Sequence, residues 1–205
     1  MKHSNRVRWS AAVVVFVVAL GHFGVQARPV DEVKLQDVIR ILQYKPDPTP
    51  RDFVECGSDI DSVLADVLSS RNVKPEIRVR AARTLGLYPG TRARAVLTST
   101  MTTPDEDRDV RAASMFGLAR LVGGAAIDDI KSWLKDPSAV IRSGAAVALA
   151  QIGGPRARQI LMDTIAHESD LDVRLKMDQA LNRMSEQESR PMDMRKPGAA
   201  RPGSK

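Results

Sequence analysis

Apolar and small residues return at every fourth position in four separate stretches of this chain, and each stretch opens on the same short template. A β-branched residue is followed by arginine, two variable positions, and then small residues leading to leucine or an equivalent. The copies open at Ile77-Arg78, Val110-Arg111, Ile141-Arg142 and Val173-Arg174, with starts 33, 31 and 32 residues apart. Self-similarity at such a period marks a repeat architecture. Within a copy, positions i, i+4 and i+8 are apolar or small, as in Ile141, Ala145 and Leu149. That spacing lines one face of an α-helix.

The punctuation agrees with helices. Asp107, Ser138 and Asp170 each stand three residues before a template, where an N-cap side chain accepts from the first free amides. The first copy has Lys74 there with Pro75 next, a position that proline tolerates. Gly90, Gly123 and Gly153-Gly154 are expected to stop the first three template helices. A second helix follows in register: Leu97, Ile130 and Leu161 are equivalent, as are Met101, Leu134 and Ile165 four residues later. The same offset finds Leu64 and Leu68, which predicts a helix over 59–69 before the first template. A further helix from 31 to about 44, with Val38, Ile41 and Leu42 on one face, is expected to cap the N-terminal end. A Pro-rich connection over 45–58 joins it to the rest.

In these residues the chain resembles the HEAT-repeat family, in its short PBS-lyase-like form. The best copy is IRSGAAVALAQIGG at 141–154, followed by IRVRAARTLG at 77–86, and the resemblance covers residues 59–184. It implies an all-α fold, a right-handed α-solenoid of stacked antiparallel helix pairs. The last copy departs most: Met177-Asp178 stand where two small residues belong, and no second helix follows. That suits a terminal repeat with a polar outer face. The resemblance also implies that the repeated arginines, Arg78, Arg111, Arg142 and Arg174, pair with carboxylates and carbonyls of the inter-repeat turns. Asp105, Asp107, Asp136 and Asp170 are the candidates. We read this ladder as structural, because it is regular in every copy whereas binding surfaces vary between copies.

Composition narrows the chemistry. With 205 residues and 43% apolar content the chain can bury a core, yet only 4% of it is aromatic, so the packing must be aliphatic. His3 and His22 lie near the N-terminus, leaving His167 and the single Cys56 in the body. Counting alone argues against a His/Cys metal site or a Ser–His–Asp triad, and no cofactor is expected. Cys56 reads as an inert thiol. Asp128 and Asp129 diverge by about 100° on a helix, and the acids at 105–107 suit a helix N-terminus. No glycine pair carries the Lys-Ser/Thr of a phosphate loop. Trp133 aligns with Val67, Thr100 and Thr164; it reads first as inter-repeat packing and second as a binding anchor.

Residues 1–27 have the three parts of an export signal. Lys2, Arg6 and Arg8 give a positive start, residues 11–20 are uninterrupted apolar, and Val25-Gln26-Ala27 offers small residues for cleavage after Ala27. The apolar run is half of the roughly 20 residues a spanning helix needs, so cleavage is favoured over a retained anchor. The product is expected in the periplasm or secreted, without stable membrane insertion. It would comprise a capping segment (28–58), the repeat domain (59–184) and a disordered tail (185–205) poor in large apolar residues. Its 28 basic and 25 acidic groups give no case for nucleic acid.

The expected function is an exported, non-catalytic scaffold or adaptor, a monomer or one subunit of a complex, that binds a protein or peptide. The rivals are a lyase-type enzyme, like the chromophore lyases sharing such repeats, and an accessory subunit of an envelope complex. Charge suggests where a partner docks. Residues 67–104 carry seven basic groups against Glu76 alone. Arg80 and Arg83 should share a helix face, while Arg92 and Arg94 open the next helix, against its dipole. These four, with Trp133, are the candidate docking residues, and they suit an acidic partner; the alternative is internal neutralisation by Asp59, Asp61 and Asp66. N-terminal sequencing of the exported product should read from Arg28, and an intact Met1 on a membrane-bound species would overturn the export reading.

Overall fold

The computed structural model describes residues 32–189; residues 1–31, which include the expected export signal, and the chain beyond Ser189 lie outside the described residues. The helices are α1 (Glu32–Tyr44), α2 (Ile60–Ser69), α3 (Pro75–Leu85), α4 (Thr91–Thr102), α5 (Arg108–Val122), α6 (Ile127–Lys131), α7 (Ala139–Ile152), α8 (Gly154–Ile165) and α9 (Leu171–Ser189). Among the described residues there is no strand. The odd-numbered helices pack side by side, α1 on α3, α3 on α5, α5 on α7 and α7 on α9. The even-numbered helices form a second layer against them, and α6 is a short helix between 3₁₀ turns at Gly123–Ala126 and Ser132–Lys135.

The apolar periodicity becomes the seam between the layers. Ile141, Ala145 and Leu149 are completely buried, as are Leu64, Leu68, Leu97, Ile130 and Leu161 from the second layer. The capping acids act as expected at two starts. Asp107 Oδ1 accepts from Asp109 N at 2.9 Å and Val110 N at 3.1 Å, and Asp170 Oδ1 accepts from Asp172 N and Val173 N at 3.0 and 3.1 Å. Ser138 is different: its side chain makes no cap, and instead Asp136 Oδ1 accepts from the Ser138 amide at 2.8 Å.

Two boundaries differ from expectation. Gly90 does not stop α3; that helix ends at Leu85 with Gly86 after it, and Gly90 precedes α4. Gly86 serves close packing between backbones. A Cβ on Gly86 would lie 2.5 Å from the Gly117 carbonyl oxygen, and one on Gly117 would lie 2.3 Å from the Ala82 oxygen. Gly123 and Gly153 do close α5 and α7, at φ 56° and 73°. At the other end α9 runs to Ser189, five residues past the expected end of the repeat domain at 184. Arg158 on α8 holds its last turns, through Ser185 Oγ at 3.3 Å and Glu188 Oε2 at 2.9 Å.

The Pro-rich connection is more than a linker. Pro50–Cys56 forms a 3₁₀ helix that buries Phe53 in the core. Asp52 fastens its start by pairing with Lys45 and accepting from the Thr49 amide at 2.8 Å, which holds its carboxyl down to about 2. Burial, with the Asp37 charge nearby, pushes the Cys56 thiol up, as befits an unreactive thiol. The stretch Arg108–Lys135 is apolar enough on average to cross a membrane, but it packs against α3, α4 and α7, so its apolarity belongs to the core.

The close approach at Gly117 carries a prediction. Gly117→Ala should lower stability by about 1–3 kcal/mol in urea denaturation, because the new methyl meets backbone that cannot yield. Gly124→Ala, with open space around it, should stay within about 0.5 kcal/mol.

Candidate protein-interaction groove

Three of the four repeated arginines interlock neighbouring repeats. Arg78 is 4% exposed; its Nε donates to the Leu68 carbonyl at the end of α2 (2.8 Å), and its fork holds Glu106 at 2.8 and 2.5 Å. Arg142 repeats the theme: Nε and Nη2 donate to Glu168 at 2.8 and 3.1 Å, and Nη1 donates to the Asp136 and Pro137 carbonyls at 2.9 and 3.1 Å. Arg111 donates to the Met101 carbonyl at 3.1 Å, but the turn it faces is Asp136-Pro137 and presents it no carboxylate. Its guanidinium lies over the Trp133 ring instead, 4.8 Å from the centroid. Trp133, half-buried, is therefore inter-repeat packing. Arg174 is exposed and makes no such bond among the described residues.

The carboxylates that serve the ladder are Glu106 and Glu168, not the four aspartates. Asp105 pairs with Arg71, Asp107 and Asp170 cap helices, and Asp136 contributes its carbonyl. Asp170 reaches Arg142 only at 3.9 Å. The signal for Glu106 and Glu168 was available as an acid just before each capping Asp. A longer side chain is needed there to span from the turn to the preceding repeat's arginine.

The basic band of 67–104 does not form one surface. Arg80 and Arg83 share a face of α3, as expected, but Arg80 Nη1 donates to the Leu42 and Gln43 carbonyls at 2.6 and 2.7 Å and so closes the C-terminus of α1. Arg92 on α4 pairs with Asp66 on α2, which is the internal neutralisation considered above. Arg94 is exposed on α4, in the second layer.

What the odd-numbered helices do form together is an open groove of about 1060 Å³ running across α3, α5, α7 and α9. Its floor is small or apolar: Val79, Ala112, Ala113, Phe116, Val140, Ser143, Gly144 and Val147. The first turns bring a row of acids to it, Glu76, Asp109 and Asp172, with the capping Asp107 and Asp170. Opposite charge enters from Arg80, Arg83 and Lys176. Arg83 lies over the Phe116 ring at 4.7 Å. Near it Arg120 is pulled below its ordinary pKa by burial and by the Arg83 charge, with Asp47 opposing. The C-terminal ends of α3 and α5 thus give the groove a cationic end. Among the described residues no group of three His, Cys, Asp or Glu side chains is placed to hold a metal ion.

Stacked helix pairs, close glycine contacts and an interlocking arginine in successive repeats define an all-α solenoid. Residues 101–182 match the family model for HEAT repeats. HEAT repeats generally mediate interactions between proteins. No curated protein matches the chain.

The ladder makes stability pH-dependent. Burial alone would raise the Glu106 carboxyl, but Arg78 and the Asp107 amide overcome it and leave it lowered; Arg142 lowers Glu168 against a smaller burial effect. Depressed carboxyl values stabilise the fold fully above the ordinary glutamate value of about 4.3, and this is lost as pH falls through the folded values. Glu106→Gln should cost about 3–5 kcal/mol at neutral pH, since it strands a buried arginine. Glu168→Gln should cost less, because Arg142 keeps its carbonyls. Urea titrations from neutral to acid pH should show a shallower fall in stability for either variant.

Proposed function

We propose that this protein is an exported, non-catalytic adaptor that holds a segment of a partner protein in the groove across α3, α5, α7 and α9. The observation that carries the reading is the contrast between ladder and groove. Two and three residues beyond the first three template starts, the residues are Val79 and Arg80, Ala112 and Ala113, then Ser143 and Gly144, all lining the groove. They change from copy to copy while the arginine beside them does not, as expected where the fold is conserved within the molecule and the surface is specialised.

The partner we infer is a segment with an acidic residue for the Arg83 and Arg120 end. Charge there gives direction: the same segment reversed would set its acid against Glu76, Asp109 and Asp172, and like charges discriminate against that register. Lack of catalysis is part of the proposal, supported by the employment of the groove's acids in helix caps and first turns. Export is supported by the basic, apolar and small-residue order of residues 1–27.

Affinity capture from envelope extract, compared across variants, tests this. Ser143→Trp should fill the floor and abolish capture of the dominant protein; Arg83→Glu should weaken it and reduce its salt dependence; Arg94→Glu, away from the groove, should capture normally. Normal capture by both groove variants would overturn the assignment.

A further inference from the structure

The ladder and the close-packed face that goes with it run out at α9. In earlier repeats residues two, five and nine beyond a template start make close contacts with the next helix: position two on α5, and positions five and nine on α3. Ala112 would meet a Cβ on Gly144 at 2.4 Å, the Ala82 oxygen stands 2.3 Å from one on Gly117, and Gly86 packs on Gly117. The same positions on α9 are Leu175, Asp178 and Asn182. Beside them Leu171 is 74% and Leu175 55% exposed, and Arg174 occupies the ladder position without a ladder partner among the described residues. Asp178 and Asn182 are polar side chains where Ala82 and Gly86 allow backbone-to-backbone approach, and both are held at the exposed side of α9 among the described residues.

We propose that this face pairs with the same face of a second copy of the chain, the two α9 helices running antiparallel about a twofold axis. The charges are self-complementary. Arg174 and Asp178 are one turn apart, and a twofold axis midway between them sets each Arg174 against Asp178 of the second copy. The same axis brings the two Leu175 side chains together, with Leu171 flanking them. An isologous contact of this kind closes at two copies and builds no filament. One helix face buries less than the roughly 800 Å² per partner of a standard interface, so the dimer exchanges readily and forms with rising concentration. At α9 the groove is lined by Asp170, Asp172, Val173 and Lys176, none of which is among these contact residues.

Sedimentation velocity of the purified full chain over a hundredfold range of concentration tests this. The wild type should pass from monomer to dimer, and Leu175→Glu should remain monomeric. Arg174→Asp should weaken dimerisation by about tenfold or more. The double variant Arg174→Asp/Asp178→Arg should restore it, since swapping both charges preserves self-complementarity. A wild type monomeric throughout, Leu175→Glu dimerising normally, or failure of the double variant to recover would each overturn the proposal; the last would mean that Arg174 meets some other acid. Ser143→Trp should dimerise like the wild type, so this outcome is read independently of partner capture in the groove.

Discussion

A buried guanidinium must be fully employed, and the architecture of this chain follows from how it meets that demand. Arg78 is withdrawn from water at the junction of α2, α3 and the turn before α5, where only the Leu68 carbonyl and the Glu106 carboxylate satisfy it. Stranding such a charge costs several kcal/mol, so the geometry of two repeats is locked together wherever the rung forms. Arginine suits the task because one nitrogen can take a carbonyl while the fork takes a carboxylate, which a lysine ammonium cannot match in shape. At Arg111, where the Asp136 carboxylate of the following turn accepts from the Ser138 amide instead, the face of Trp133 substitutes.

With the rungs holding the odd-numbered helices in register, their inner face is released from stabilising duty. Close contact is supplied by Gly86 and Gly117, which do not line the groove, and by Gly144 against Ala112 at its floor. The groove floor can then carry valine, alanine, serine or phenylalanine without altering the stack. This separation of labour is what makes a repeat scaffold suited to recognition.

The two ends are finished differently. At the N-terminal end the 3₁₀ helix inserts Phe53, and Arg80 binds the last carbonyls of α1, so a residue that looks like surface charge is part of a helix terminus. Among the described residues the C-terminal end has no comparable lid. The 19-residue α9 is instead prolonged beyond the repeat and tied by Arg158 to its own second-layer neighbour.

Periodicity in the chain was sufficient to determine the helices, their pairing and the core, because burying one helical face is a local rule written at i, i+4 and i+8. Ile141, Ala145 and Leu149 needed no tertiary knowledge, nor did the caps at Asp107 and Asp170, whose bonds span two or three residues. Only the folded structure decided which acid completes each rung, since Glu106 and Arg78 are 28 positions apart and meet through the path of a turn. It also decided that Gly86 rather than Gly90 ends α3 and packs on another helix, and that Arg92 is spent on Asp66 while Arg83 faces the groove. Charge counted along the chain could not separate those arginines. Residues a few positions apart leave on opposite layers of the solenoid, and the side on which a cation emerges is a property of packing rather than of order along the chain.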